Sequence, residues 1–175
     1  QKYHLWDCSN GNRNQWFRMI VPAPVVMAAL PTGWFNIVGV TGICMSARNR
    51  NGGLVQDTCS NHNDLLWQAE SYKNGLVIKS KNGRVIDNAS QRSNNGNSIL
   101  GYSRNNTAAQ IWAIEKVGNA DHVHFRNLSR NKCVDDTGKH AVGQLYHLWD
   151  CANSNRNQWF RLRVPAPVVN ATLPT

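Results

Sequence analysis

Five cysteines, one adjacent carboxylate pair and one alternating histidine pair are the residues of this 175-residue chain whose types and spacing could do chemistry. Acid-base catalysis needs two titratable groups converging on one substrate, and the nearest pair is Asp135 with Asp136. Neighbours along a strand face opposite sides, so these two do not form a dyad. His122 and His124 share a strand face, yet no third ligand is spaced to complete a metal site, and an exposed surface pair is expected. A Gly-rich phosphate loop is absent from the sequence. The cysteines are better placed, with Cys44 and Cys59 separated by 15 residues and Cys133 and Cys151 by 18. Each pair spans a Gly-containing turn between strand-like segments, so Cys44–Cys59 and Cys133–Cys151 both read as hairpin disulfides. No cysteine-histidine nucleophile then remains, and the expectation is a non-enzyme with no cofactor and no metal.

Two disulfides imply an oxidising, secreted setting. Four Asn-x-Ser/Thr triplets, at Asn88, Asn105, Asn127 and Asn170, are candidate glycan acceptors on that route. Nineteen Lys plus Arg against ten Asp plus Glu give a net charge of +9. The basic residues are scattered singly with no five-residue block, which reads as solvated surface charge and not as a nucleic-acid face. A hydrophobic content of 41% excludes full disorder. No apolar run approaches the roughly 20 residues that cross a bilayer as a helix, so no membrane insertion is expected.

Strands and turns must do the positioning. Asn- and Gly-rich turns such as RNRNGG, KNG and SNNGNS punctuate the chain at the spacing of short strands, and no convincing helix appears. Three segments share one outline: a strand, a cysteine-type position, a Gly turn, a second strand and an aromatic close. Cys44, Val85 and Cys133 match at intervals of 41 and 48 residues, and Trp67, Trp112 and Phe160 at 45 and 48. Units this small are expected to share one core about a pseudo-threefold axis. A longer duplication surrounds them, for Gln1–Thr32 aligns without gaps on Gln144–Thr175 and agrees at 25 of 32 positions. Its VPAPVV stretches should be extended and stiff. Cys8 is the copy of Cys151, so its partner is expected 18 residues upstream, outside this sequence, and adjacent copies of the repeat are expected neighbours, in tandem or head to tail.

Gln110-Ile111-Trp112 carries the Gln-x-Trp signature of ricin B-type lectins, and Gln158-Trp159-Phe160 is a variant of it. Over residues 33–163 the chain resembles that family. The resemblance implies an all-β fold, a β-trefoil with pseudo-threefold repeats over 33–70, 71–115 and 116–163. Residues 1–18 then read as the closing part of a preceding trefoil repeat, and 19–32 and 164–175 as Pro-rich linkers. Trp67, Trp112 and Phe160 should point into the shared core while each glutamine ties neighbouring backbone groups. Two departures stand out: Leu65-Leu66-Trp67 lacks the glutamine, and the third motif ends on phenylalanine.

The family pattern also implies a carbohydrate site in the third repeat. Asp135 would accept hydroxyl hydrogen bonds, Trp149 would stack on the sugar, Asn157 with Gln158 would add amide contacts, and His147 would stand at the rim. The second repeat keeps Asp87 and Tyr102 but has Ala109 where the asparagine should be, and Val85 and Arg104 at the cysteine positions. It is a half-equipped second carbohydrate site that a glycan on Asn88 could block. The first repeat has Ser46, Asp57 and Asp64-Leu65 in those places and should bind nothing. The N-terminal copy repeats half a site with His4, Trp6, Asn14 and Gln15. The expected function is an extracellular, non-catalytic carbohydrate-binding module of a tandem-repeat protein, acting mainly through its third repeat, with glycans or glycoconjugates as partners. The alternative is a structural repeat of an extracellular fibre or surface coat with residual sugar pockets.

Overall fold

The computed structural model describes residues 27–117 and 121–166. Residues 1–18 with Cys8, most of both Pro-rich segments, and Asn170 lie outside the described residues. The described chain is built of twelve strands. Three hairpins recur along it: β2 (Cys44–Ser46) with β3 (Val55–Asp57), β6 (Val85–Asn88) with β7 (Asn97–Tyr102), and β10 (Lys132–Asp135) with β11 (His147–Asp150). Six further strands pair around them: β1 (Asn36–Gly39) with β12 (Phe160–Arg163), β4 (Trp67–Tyr72) with β5 (Gly75–Ser80), and β8 (Trp112–Val117) with β9 (His122–Asn127). No helix among the described residues is long and apolar enough to cross a membrane.

Alternation along the strands explains why these residues form a sheet closed on a core. In β7, Asn97, Ile99 and Gly101 point inward while Ser98 and Tyr102 are exposed, the period of two that a half-buried strand requires. The threefold character shows in how the start and end of each unit pair: Trp67 faces Phe35, Trp112 faces Leu76 and Phe160 faces Val123. All three closing aromatics are fully buried in one cluster with Ile37, Ile86 and Val134. Burying side chains of this size contributes roughly 1.5–3 kcal/mol each, which is how three short units hold a single core.

The indoles also donate: Trp67 Nε1 to the Met45 carbonyl and Trp112 Nε1 to the Ile86 carbonyl, both at 2.9 Å. Phe160 has no N–H to offer and packs edge-on against Phe125 at 5.5 Å. Gly75 marks a close approach, since a Cβ there would meet the Trp112 carbonyl at 2.8 Å. Disulfides join Cys44 to Cys59 and Cys133 to Cys151 across two of the three hairpins.

Met27 forms a bridge with Glu115, and Ala28 N–H donates to the Ile114 carbonyl at 3.0 Å. Ala28 and Leu30 pack against the core. This last part of the Pro-rich stretch is therefore a strip laid along the edge of β8.

Candidate functional site

Asp135 and Asp87 occupy equivalent places in the third and second hairpins. Asp135 stands opposite His147, and Trp149 opposite Cys133. Asp87 stands opposite Leu100, and Tyr102 opposite Val85. Cross-strand partners and residues two apart share a face, so the hairpin register brings each aspartate and its aromatic to one side.

Behind each aspartate lies a fully buried glutamine delivered by a short 3-10 turn, Ala108–Gln110 or Arg156–Gln158. Gln110 donates to Asp87 Oδ2 at 2.8 Å and to the Ser103 carbonyl at 2.9 Å, and accepts from the amides of Asn105 and Asn106. Gln158 donates to Asp135 Oδ2 at 3.2 Å and to the Asp150 carbonyl at 2.8 Å, and accepts from Ala152 N–H. Both glutamines tie backbone together, and both hold the site carboxylate. Gln158 was placed among sugar-contacting residues by the family pattern. Its complete burial corrects that, because it can act only through Asp135. In the first repeat Leu65 stands in the glutamine's place, and the Ser46 hydroxyl is buried with no partner among the described residues.

The two aspartates differ in what is left over for a ligand. Asp135 accepts at Oδ1 from Thr137 N–H at 2.8 Å and His147 Nε2 at 3.0 Å, and at Oδ2 from Asn155 Nδ2 at 2.8 Å as well as Gln158. Burial pushes its pKa up, but the hydrogen bonds from His147, Thr137 and Gln158 outweigh it and hold the carboxyl below the ordinary 3.8. The expectation that Asp135 offers its oxygens to hydroxyls meets a carboxylate whose roughly four acceptor directions are already filled. His147, expected at the rim, is partly exposed; it stacks on Trp149 with ring centroids 5.1 Å apart while its Nε2 meets the Asp135 carboxylate. Asn157 makes no bond to Asp135. Its side chain lies over Gly138, where a Cβ would come within 3.2 Å of its amide nitrogen. The asparagine that does reach Asp135 is Asn155, which also caps the 3-10 turn by accepting from Asn157 N–H. Sequence reasoning missed it, although an asparagine at the entrance of a turn is the usual capping signal.

Among the described residues, Asp87 is bonded only through its Oδ2. It borders a cavity of about 280 Å³, together with Gln91, Leu100, Tyr102, Asn105 and Ala109. Burial raises its pKa above 3.8, with the Gln110 bond pulling the other way. Tyr102 is 37% exposed at the cavity wall, and the small Ala109 leaves its floor open.

Other readings change as well. Asp136 turns away from Asp135 to accept from Gly138 N–H and to meet His140 Nδ1 at 3.2 Å. The histidine pair expected on the surface is buried, His122 at 8% exposure and His124 at 3%, because β9 is covered by its neighbours. His122 lies under the Trp159 ring at 5.3 Å. Asn88 and Asn127 are fully buried and cannot be glycan acceptors in this fold. Asn88 donates to the Arg92 carbonyl and accepts from Asn97, while Asn127 donates to the carbonyls of Ala109 and Ile111. Asn105 is exposed.

A family model described as ricin-type beta-trefoil lectin domain-like matches residues 67–149, which include both aspartates. No curated protein matches the sequence. Among solved structures, a designed 3-fold symmetric protein, ThreeFoil, superposes with a TM-score of 0.70 at 16% identity, over 76% of this chain and 99% of that one.

The fold is a β-trefoil.

The trefoil is also similar to a ricin B-like lectin from Macrolepiota procera solved in complex with lactose, with a TM-score of 0.67 at 14% identity, over 79% of this chain and 100% of that one. An exo-beta-1,3-galactanase from Clostridium thermocellum matches with a TM-score of 0.69 at 19% identity, over 77% of this chain and 31% of the enzyme. The trefoil thus spans about a third of that enzyme.

Proposed function

We propose that this chain is a non-catalytic, lectin-like carbohydrate-binding module that takes a sugar in its second-repeat cavity. One observation carries the reading: Asp87 is fixed by Gln110 through one carboxylate oxygen and leaves the other unbonded beside exposed Tyr102. A pyranose presents an apolar C–H face and adjacent hydroxyls, and a ring face next to a fixed acceptor meets both at once. The third repeat holds the same elements in a closed arrangement, with His147 in the place a hydroxyl would take. Asp135, Trp149 and Asn157 become a second sugar site when His147 swings away. Small open pockets bind weakly, and repeating them along a chain compensates through avidity. The duplicated segment 1–32 and 144–175 supports a tandem arrangement, and two disulfides support an extracellular setting.

The test is glycan-array binding by the intact chain and its variants. Asp87→Asn and Tyr102→Ala should each abolish the signal, whereas Asp135→Ala with Trp149→Ala should leave most of it. The duplication also favours a second reading, a structural repeat of an extracellular fibre. Absence of binding to any glycan, together with regularly spaced polymers under electron microscopy, would replace the lectin by that scaffold.

A further inference from the structure

A second cleft, of about 840 Å³, lies between the Ala28–Pro31 strip, the Gly39–Gly42 turn and the edges of β9 and β12, and shares no residue with the sugar cavity. Its charge is unlike that of the sugar cavity. Lys116, Arg161 and Arg163 line it, and none of the three forms an ion pair or a side-chain hydrogen bond among the described residues. Arg161 and Arg163 are two apart on β12 and so project to the same side. Elsewhere on the trefoil some basic residues are paired, as Arg48 is with Asp57 and Arg104 with Glu70. One acid, Asp121, stands at the cleft.

His122 gives an independent sign of a missing partner. It lines the cleft, is more than nine-tenths buried, and its Nδ1 has no hydrogen bond among the described residues. A buried imidazole nitrogen without a partner costs free energy unless something supplies one. Burial first, then the Arg161 and Arg156 guanidinium groups, hold its pKa below 6.5.

We propose that this cleft binds the anionic group of a sulfated oligosaccharide, separately from the sugar cavity. Three cations unpaired among the described residues supply charge-assisted donors for a sulfate, beside the His122 ring. The rest of the lining, with Ala28, Pro31, Val38 and Leu162, is apolar and suits the C–H faces of a saccharide. A nucleic acid fits less well, because no Trp, Tyr or Phe lines the cleft to stack a base.

The experiment is fluorescence anisotropy of the intact chain with a labelled heparin-derived hexasaccharide, its fully desulfated counterpart and a single-stranded DNA oligonucleotide. The sulfated sugar should bind, and desulfation should weaken it by at least about tenfold. Lys116→Gln with Arg161→Gln and Arg163→Gln should weaken it by a similar factor without moving the thermal transition, while Asp121→Asn should tighten it. Equal affinity for the desulfated sugar, or no effect of the triple variant, overturns the proposal. Loss of hexasaccharide binding on Tyr102→Ala moves the ligand to the sugar cavity and equally overturns it. DNA bound as tightly as the hexasaccharide, and lost in the triple variant, replaces the glycan by nucleic acid. Failure of the neutral-glycan array with retention of hexasaccharide binding would overturn only the sugar cavity.

Discussion

Replacing Gln110 by leucine makes the second repeat imitate the first, where Leu65 stands in the same place. The change removes four hydrogen bonds: to Asp87, to the Ser103 carbonyl, and from the amides of Asn105 and Asn106. A buried carboxylate left without its donor costs about 2–3 kcal/mol, and the partly exposed amides and carbonyl, which water can reach, about 0.5 kcal/mol each. Leucine returns about 1 kcal/mol of apolar burial, so Gln110→Leu should destabilise by roughly 3 kcal/mol. Asp87→Ser alone leaves the Gln110 amide with one acceptor fewer and should cost about 1–2 kcal/mol. The double variant reproduces the Ser46 and Leu65 pair that the first repeat already tolerates, so its cost should be nearer 2–3 kcal/mol than the sum. Urea unfolding of the disulfide-intact chain and its three variants gives the coupling directly, expected at about 1.5–2 kcal/mol. The pH adds a second reading of the same bond. Loss of Gln110 raises the pKa of Asp87 further, so the penalty is full above that value and shrinks as pH falls through it. Costs that add to within about 0.5 kcal/mol would refute the claim that the glutamine acts by holding the aspartate.

His147→Ala should open the third-repeat site, raise the pKa of Asp135 by removing its strongest stabilising hydrogen bond, and add glycan-array signal that Asp135→Ala then removes. Secretion from a glycosylating host should give peptide maps with glycan at Asn105 and none at Asn88 or Asn127, because of these three described acceptors only Asn105 is exposed. Burial lowers the pKa of both His122 and His124, so the unfolded chain binds more protons than the folded one below the ordinary 6.5. Stability should therefore be level above about pH 6.5 and fall as the pH drops from there toward the folded values. Asp87 and Asp136, with raised values, act in the opposite sense nearer their ordinary 3.8. His122→Leu with His124→Leu should flatten the decline in thermal melts taken between pH 7 and pH 5.

The periodic aromatics made the threefold core legible, because Trp67, Trp112 and Phe160 recur at the length of one unit and each must be buried. The cysteine pairs were legible for a similar reason, since a hairpin brings residues 15 or 18 apart together at its open end. What the sequence did not disclose is who bonds to whom across a hairpin. That Gln110 meets Asp87, and that His147 closes over Asp135, depends on register and on which of several polar neighbours is nearest. Asn88 and Asn127 look like loop asparagines in an Asn-rich chain, yet both sit where a buried amide must satisfy backbone carbonyls. The cation cleft was equally hidden, for Lys116, Arg161 and Arg163 are scattered in sequence and converge only when β8 and β12 come to share a border with the Ala28–Pro31 strip.

The closing aromatics and the disulfides fasten the three hairpins unequally. The first hairpin has both a covalent link and an indole bond, Cys44–Cys59 with Trp67 to Met45. The second has only the indole bond, from Trp112 to Ile86. The third has Cys133–Cys151 but no indole bond, since Phe160 cannot donate, and it is joined to its neighbours by the pairing of β10 with β9 and β11 with β7. A reductant would therefore act unevenly on a nearly symmetric molecule, loosening the open ends of the first and third hairpins and sparing the second. The hairpin that carries the closed site has an open end that depends on redox state, and the hairpin that carries the open cavity does not.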